Sequence, residues 1–228
     1  MNVCLIPARS GSKRIKNKNI LKINNKPIIN WTIQTARNSN IFDRICVSTD
    51  SLKISNIVKK VGAKVPFLRP KKYATDKSTD EDVINHFLKY AKKEKIQLHS
   101  ICYFYPTSIL ITEKILIKSF KKFKKSKANY LLSICSYSAP LDIALKLKGE
   151  SLVEFLNSKD SKKRTQDMRK YYHDAGQFYW FKVKDYKIIK DKQFNYFYLD
   201  KKMSVDVDSK EDLEMLKILY KNKKSRNS

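Results

Sequence analysis

The sequence lacks any apolar run close to the roughly 20 residues that a helix needs to span a bilayer. Residues 1–9 also lack the basic start and the apolar stretch of a signal peptide. None of the four cysteines belongs to a C-x-x-C pair, so neither a zinc site nor a disulfide framework is predicted. These absences predict a cytoplasmic protein with no membrane partner, whose cysteines are reduced and buried.

Acidic residues are few, 22 against 49 Lys and Arg, which gives 228 residues a formal net charge of +27. Only eight of those 49 are arginine, although nucleic-acid readers rely on arginine to pair with phosphate and guanine. A lysine-rich composition by itself explains such an excess. A basic RNA-binding module is the alternative explanation, but we expect no specific nucleic-acid partner.

Short apolar runs alternate with longer amphipathic ones, which predicts an α/β domain with a mainly parallel sheet flanked by helices. The predicted strands are 3–7, 44–48, 65–68, 100–105, 130–135, 177–182 and 203–207. The predicted helices begin near residues 27, 50, 79, 112 and 209, with Asp50 and Thr112 as caps and either Thr79 or Asp80 at the start of the third helix. This alternation of apolar and amphipathic runs stops between about 137 and 172, where we expect a small inserted subdomain.

The loop after the first predicted strand concentrates groups that can bind phosphate. It contains Gly11, two serines and five cations within residues 9–18. Ligands of doubly wound sheets bind at the carboxyl ends of strands, where such a loop can wrap a polyphosphate. The loop matches neither G-x-x-x-x-G-K-S/T nor G-x-G-x-x-G. A solvated basic loop in a lysine-rich chain is the alternative.

The second feature is the pair Asp206 and Asp208, just ahead of the last predicted helix. On an extended strand, alternate residues face one side, so both carboxylates would lie together. Two carboxylates suit Mg²⁺, which fills its remaining positions with phosphate and water. The alternative, that Asp208 caps the helix, explains only one aspartate. Together with the cationic loop, the pair predicts phosphoryl or nucleotidyl transfer.

The run L-I-P-A-R-S-G-S-K-R-I-K-N-K-N-I at 5–20 resembles the signature of the cytidylyltransferases that activate nine-carbon nonulosonic acids, the CMP-sialic acid synthetase family. Other matching segments lie in the same order, from about residue 3 to 216: V-S-T-D at 47–50, F-L-R-P at 67–70, A-T-D-K-S-T at 74–79, P-T-S at 106–108 and D-V-D-S-K-E-D-L at 206–213. The resemblance implies a Rossmann-like nucleotidyltransferase fold, one cytidylyltransferase domain over 1–228, and use of CTP and Mg²⁺. It also implies a homodimer, for which 137–172 is a possible contact.

The resemblance further assigns roles to matching residues. Arg9 and Lys18 would hold the triphosphate and act in catalysis together with Asp206 and Asp208, the expected magnesium ligands. The other residues expected at the nucleotide are Ala8, Ser10, Gly11, Ser12, Lys13, Asn19, Arg69, Asp76, Ser78 and Thr79, with Arg69 and 76–79 near the cytosine and ribose. Those expected at the sugar are Tyr105, Thr107, Ser108, His173, Gly176, Gln177 and Tyr179. The anomeric hydroxyl of the sugar would attack the α-phosphorus and release pyrophosphate.

The string D-A-G-Q-F-Y-W at 174–180 resembles the branch of the family that acts on pseudaminic acid. Sialic acid members tend to have N-G-A-I-Y there, and a basic residue where this chain has Asp142. Synthetases of CMP-N-acetylneuraminate, CMP-legionaminate or CMP-Kdo are the alternatives. Strand alternation predicts Phe178 and Trp180 in the core, with Gln177 and Tyr179 facing the substrate. His173 is a candidate base for the sugar hydroxyl.

Overall fold

A computed structural model describes residues 1–156, 164–189 and 194–225 of the chain. The helices are α1 (Ile28–Asn38), α2 (Leu52–Lys59), α3 (Asp80–Lys93), α4 (Glu113–Lys125) and α5 (Lys210–Ser225). The strands are β1 (Asn2–Pro7), β2 (Lys22–Ile23), β3 (Lys26–Pro27), β4 (Arg44–Ser48), β5 (Ser100–Phe104), β6 (Tyr130–Ser136), β7 (Leu145–Lys148), β8 (Leu152–Phe155), β9 (Tyr172–Lys184), β10 (Lys187–Ile188) and β11 (Asn195–Tyr198).

The main sheet has the strand order β11-β6-β9-β5-β1-β4, and β10 pairs with β9 outside this path. β1 runs parallel to β4 and β5, and β6 runs parallel to β11. β9 runs antiparallel to both β5 and β6. The first residues of β9 therefore lie at the same edge of the sheet as the carboxyl ends of β1 and β5. This confirms the predicted α/β class with a mainly parallel sheet.

Local sequence signals account for the helix starts. The Thr79 side chain accepts from Asp82 N and the Asp82 carboxylate accepts from Thr79 N, which closes a capping box on α3. Thr112 caps α4 as predicted. The predicted cap of α2 was wrong, because Ser51, not Asp50, accepts from the backbone of Ile54.

The strand alternation predicted for the aromatic run is confirmed. Phe178 and Trp180 are fully buried on the face of the sheet packed by α1, α2 and α4, and Tyr179 lies on the other face with α3. Trp180 stacks near Phe120 and Phe123 with ring centroids 4.8 and 5.6 Å away. The core thus fixes the direction in which Tyr179 points.

Two predicted strands do not form. Around 65–68, only Lys64 and Leu68 make isolated bridges, with Cys46 and Thr49 respectively, because Pro66 has no N–H to donate to a ladder. In the predicted strand 203–207, Met203 ends a short 3₁₀ turn and residues 204–207 belong to no strand. Side chains bind the carbonyls there, since Gln177 donates to Val205 and Lys18 donates to Val207.

The segment after β6 contains a separate two-stranded antiparallel hairpin, in which β7 pairs with β8. Short 3₁₀ turns at Leu141–Ile143 and Thr165–Asp167 lie on either side of it in sequence. β9 begins at residue 172, five residues before the predicted start. Over the described ranges, no helix is long and apolar enough to cross a membrane.

Candidate active site

A cavity of about 580 Å³ opens where the carboxyl ends of β1 and β5 meet the first residues of β9. A neighbouring cavity of about 350 Å³ lies over the first loop and shares Arg9, Lys18, Asn19 and Asp208 with it. The predicted residues that line the larger cavity are Arg9, Lys18, Asn19, Arg69, Ser78, Thr79, Tyr105, Thr107, His173, Gly176, Tyr179, Asp206 and Asp208. The smaller cavity adds Ser12, Lys13 and Asp76. The fold therefore brings the cationic loop and the two aspartates to one place.

The cations of the loop are engaged by carboxylates of the chain itself. Asp76 pairs with Arg9 through one oxygen and with Lys13 through the other, both at 2.7 Å. Hydrogen bonds from Lys13 and Arg9 hold the pKa of Asp76 below its ordinary value. Asp208 pairs with Arg14 at 2.9 Å and with Lys18 at 3.5 Å. An anion entering this loop must therefore displace these carboxylates or share the cations with them.

Backbone contacts hold the loop in place. Lys18 Nζ donates to the carbonyl of Val207 at 2.8 Å, and the Asn19 amide donates to the carbonyl of Arg9 at 2.9 Å. At the other end, the N–H and hydroxyl of Ser10 donate to the two oxygens of Asp50 at 2.8 and 2.6 Å. Ser10 and Gly11 are exposed outside both cavities, and Ala8 is fully buried. These three residues would therefore shape the loop rather than line its cavities.

Asp206 and Asp208 both line the larger cavity, although their segment is not a strand. Asp208 is not the helix cap, because Ser209 accepts from Asp212 N at 3.1 Å while Asp212 accepts from Ser209 N at 2.7 Å. Burial raises the pKa of Asp206, and the charge of Asp208 adds to the effect. A nearby cation would stabilise the ionised form of these two neighbouring carboxylates.

These carboxylates fit a magnesium ion by the chemistry of their donor set, since oxygen ligands suit Mg²⁺ and it needs few of them from protein. Within the described residues, no group of three or more His, Cys, Asp and Glu is arranged to hold a metal. A magnesium ion bound here would thus take its other ligands from substrate and water.

Arg69 lines the larger cavity and is only 4% exposed. Its guanidinium donates to the carbonyls of Ser48 and Tyr73, while its Nε has no hydrogen-bond partner among the described residues. Burial lowers the pKa of this group. A buried donor without a partner is costly, so a ligand acceptor at Arg69 would be stabilising.

Two carboxylates that the sequence analysis did not assign to the site accept from the tyrosines of the larger cavity. Asp80 accepts from the hydroxyls of Tyr103 and Tyr105. Asp174 accepts from the hydroxyl of Tyr179 at 2.6 Å. Burial, above all, raises the pKa of Tyr105 and Tyr179, so both phenols stay protonated donors. Asp80 was interpreted as a helix start, and Asp174 belongs to the D-A-G-Q-F-Y-W string without a role of its own.

Both ring nitrogens of His173 are engaged. Nδ1 lies 2.7 Å from the carbonyl of Asp174, and Nε2 lies 3.0 Å from Cys135 Sγ. Cys135 Sγ in turn lies 2.8 Å from the hydroxyl of Ser204, which also lines the larger cavity. These contacts fix the orientation of the His173 ring, and its role as a base stays a prediction.

Gln177 and Ser108, both expected at the sugar, lie outside the lining of the larger cavity. Gln177 is 2% exposed, and its amide donates to the carbonyls of Ala175 and Val205 at 2.9 and 3.3 Å. The Ser108 hydroxyl donates to the carbonyl of Gln177 at 3.0 Å. Both residues therefore support the segment that carries Asp206.

Comparisons with known proteins relate the chain to a family and to a known fold. A family model described as cytidylyltransferase matches residues 3–225. The chain is 34% identical over 223 residues to the pseudaminic acid cytidylyltransferase of Campylobacter jejuni, with 96% of each chain covered. It is 31% identical over 229 residues to the N-acylneuraminate cytidylyltransferase of Escherichia coli, covering 98% of this chain and 53% of that relative. A solved structure, CMP:2-keto-3-deoxy-manno-octonic acid synthetase complexed with CTP, has the same fold, with a TM-score of 0.68 at 15% identity over 97% of this chain and 99% of that one.

Proposed function

The chain belongs to the cytidylyltransferase family, and from this premise we propose that it transfers CMP from CTP to the anomeric hydroxyl of pseudaminic acid. The observation that carries the proposal is the meeting of the cationic loop, Asp206 and Asp208 in a single cavity. In the reaction, the anomeric oxygen forms a bond to the α-phosphorus, the bond to the β-phosphate breaks, and pyrophosphate leaves. The protein supplies no nucleophile, so its task is to position both substrates and neutralise charge.

Arg9 and Lys18 would hold the triphosphate, because both line the larger cavity beside Asn19. Lys18 is oriented before CTP arrives, since its ammonium already binds the carbonyl of Val207. A preorganised cation costs no reorganisation when negative charge develops at the α-phosphate. Lys13 would bind the outer phosphates from the smaller cavity once it separates from Asp76.

Asp206 and Asp208 would hold the magnesium ion that we propose as the cofactor. When bound, the ion neutralises phosphate charge and stabilises the leaving pyrophosphate. Asp208 also pairs with Arg14 and Lys18, so it links this site to the cationic loop. Gln177 supports the segment through the carbonyl of Val205.

The sugar would lie against the side of the cavity formed by Tyr105, Thr107, His173, Gly176 and Tyr179. Pseudaminic acid is favoured by the similarity to the Campylobacter relative over nearly the whole chain. Because the Escherichia relative is also similar over the whole chain, CMP-N-acetylneuraminate synthesis is the second candidate. CMP-legionaminate and CMP-Kdo synthesis differ from these only in the sugar.

The site argues against a basic RNA-binding module. Four of the five loop cations, Arg9, Lys13, Arg14 and Lys18, are engaged by Asp76 and Asp208 inside a concave site. An open surface that binds RNA presents unpaired cations interleaved with aromatic side chains.

Pyrophosphate release tests the proposal. Purified full-length protein is incubated with CTP, Mg²⁺ and one sugar at a time: pseudaminic acid, legionaminic acid, N-acetylneuraminic acid or Kdo. We expect release with pseudaminic acid at the highest kcat/KM, and loss of release when EDTA replaces Mg²⁺. Preference for another sugar changes the substrate assignment, whereas the absence of release with all four sugars refutes the enzyme assignment.

We also propose that the protein acts as a homodimer that buries the β7–β8 hairpin. Its apolar side chains are exposed in the single chain: Leu145, Leu147, Leu152, Val153 and Phe155. Exposed apolar patches of this kind commonly mark protein interfaces. A hairpin standing on its own is marginally stable, so a partner surface would stabilise it.

A further inference from the structure

Asp174 presents a carboxylate to the larger cavity in an orientation fixed by the chain itself. One oxygen accepts from the N–H of Gly176 at 2.9 Å, and the other accepts from the hydroxyl of Tyr179 at 2.6 Å. Gly176 has a φ of +60°, a left-handed conformation that turns its N–H back to Asp174. Tyr179 is only 8% exposed, and its ring packs edge-to-face on Tyr105 at a centroid distance of 5.9 Å. The N–H of Gly176 and the hydroxyl of Tyr179, which both donate to the carboxylate, are therefore fixed in position by the fold.

The remaining lone pairs of this carboxylate are available to a ligand. An ionised carboxyl group has about four acceptor sites and no donor, and among the described residues Gly176 and Tyr179 donate to two of them. Asp80, the other carboxylate among these tyrosines, likewise only accepts. This part of the cavity can therefore bind a hydrogen-bond donor of a ligand but not an anion.

A nonulosonic acid carries both an anionic carboxylate and several hydroxyl or acylamino donors. Like charges repel strongly in a partly desolvated site, so the sugar carboxylate cannot lie against Asp174. A hydroxyl or an acylamino N–H of the sugar can lie against Asp174. A hydrogen bond to a charged acceptor is stronger than one between neutral groups.

Asp174 also lies close to the segment that would hold the metal. A Cβ atom built on Gly176 would be 3.9 Å from an oxygen of Asp206, and Gly176 donates directly to Asp174. A donor bound by Asp174 would therefore lie on the sugar ring rather than on the exocyclic chain, at a ring carbon other than the anomeric carbon, which bears the carboxylate.

We propose that Asp174 is a specificity-determining residue that accepts a hydrogen bond from a ring hydroxyl or ring acylamino N–H of the sugar, with Tyr179 as its positioning residue. The inference rests on the proposed function and adds which chemical group of the sugar the site recognises. It also assigns Asp174 no part in binding CTP, because the cations that would bind the triphosphate pair with Asp76 and Asp208 instead.

The test is the variant Asp174→Asn, which keeps the shape of the side chain and an acceptor oxygen but removes the charge. Steady-state pyrophosphate release gives separate KM values for pseudaminic acid and for CTP. We expect the KM for the sugar to rise about tenfold or more, the range for a lost charge-assisted hydrogen bond, and the KM for CTP to stay within about twofold. The matched control is Asp185→Asn, an exposed aspartate in the turn between β9 and β10, which should change neither value.

Tyr179→Phe provides a second variant that keeps the buried ring. It should raise the KM for the sugar less than Asp174→Asn does. The double variant should have a sugar KM close to that of Asp174→Asn, because the two residues act through one contact. A sugar KM within twofold of wild type in Asp174→Asn, or an equal rise in both KM values, overturns the inference. If Asp174→Asn does not fold, an unchanged sugar KM in Tyr179→Phe overturns it. Wild-type protein that releases no pyrophosphate with any of the four sugars refutes the proposed function as well, so the two failures are distinguishable.

Discussion

Lys18 and Val207 are 189 positions apart in the sequence, yet Lys18 Nζ donates to the carbonyl of Val207 at 2.8 Å. Val207 separates Asp206 from Asp208, so this hydrogen bond joins the phosphate-binding loop directly to the proposed metal segment. Lys18 lies 3.5 Å from Asp208 as well. One ammonium group therefore fixes the distance between the two halves of the site.

Replacing this ammonium tests the coupling. Lys18→Met keeps most of the aliphatic side chain and removes the charge, so kcat should fall by about two decades or more, as when a preorganised charge donor is lost. Lys16→Met is the matched control, because Lys16 is exposed and lies outside both cavities. Activity of Lys18→Met within tenfold of wild type would contradict the role of Lys18.

Asp208→Asn should reduce kcat by about two decades or more and raise the Mg²⁺ concentration needed for half-maximal rate, because one charged ligand is lost. Pyrophosphate release measured across a series of Mg²⁺ concentrations checks both effects. Glu214 lies on the exposed face of α5 and pairs with Lys217, so Glu214→Gln serves as the control. A variant with a reduced rate but an unchanged Mg²⁺ requirement would remove Asp208 from the metal site.

Asp76 pairs with Arg9 and Lys13, so under the proposed function it would compete with CTP for these cations. Asp76→Asn should therefore lower the KM for CTP by about two- to fivefold, the scale of an exposed ion pair. The lowered pKa of Asp76 means that it stays ionised at and above its ordinary pKa, and its ion pairs are lost only as the pH falls through the lowered value. The difference between variant and wild type should hence be the same at every pH from about 6 to 9. A higher KM for CTP in the variant would indicate that Asp76 helps to bind the nucleotide.

Leu147 is 81% exposed on the β7–β8 hairpin. Leu147→Glu should shift the protein from dimer to monomer at micromolar concentration, because a charge would be buried in an apolar interface. Light scattering after gel filtration measures the mass directly. Leu52→Glu, a similar change at a 67% exposed residue of α2, should leave the dimer intact. A monomeric wild-type protein would refute the proposed dimer.

Trp180 is fully buried between Phe42 and Phe120, and its indole N–H donates to Ser119 Oγ at 3.0 Å. Trp180→Ala should lower the free energy of unfolding by about 3–5 kcal/mol, the cost of deleting a large buried aromatic side chain. Urea denaturation followed by circular dichroism measures the change. Tyr196→Ala, at a half-exposed edge residue, should cost less than about 1 kcal/mol. Similar losses in the two variants would contradict the central role of Trp180 in the core.

Local sequence patterns predicted most of the fold. The caps at Thr79 and Thr112 and the alternation of Phe178, Tyr179 and Trp180 follow from interactions between residues close in sequence, so they were readable without tertiary structure. The predicted strands 65–68 and 203–207 both contain apolar residues, but whether a run pairs depends on a partner strand that the sequence does not locate. That is why both strand predictions failed.

The candidate site was predictable in its residue types and less so in its contacts. The motif at 5–20 identified Arg9 and Lys18, and the larger cavity contains both. The roles of Asp174 and Asp80 were missed, since a carboxylate gains its role from the tyrosines that donate to it. Gln177 was expected at the sugar from strand alternation, yet the left-handed backbone at Gly176 precedes it and its amide turns to Val205.

The sequence by itself determined the family, the α/β class and the cations available for phosphate. Only the tertiary structure decided which partner each charge has: Asp76 for Arg9 and Lys13, and Asp208 for Arg14 and Lys18. The physical reason is the distance along the sequence over which each kind of interaction acts. Periodicity and capping act over a few residues, whereas ion pairs and hydrogen bonds between side chains depend on distances that exist only after the sheet has brought residues 9–18, 76, 174 and 206–208 together.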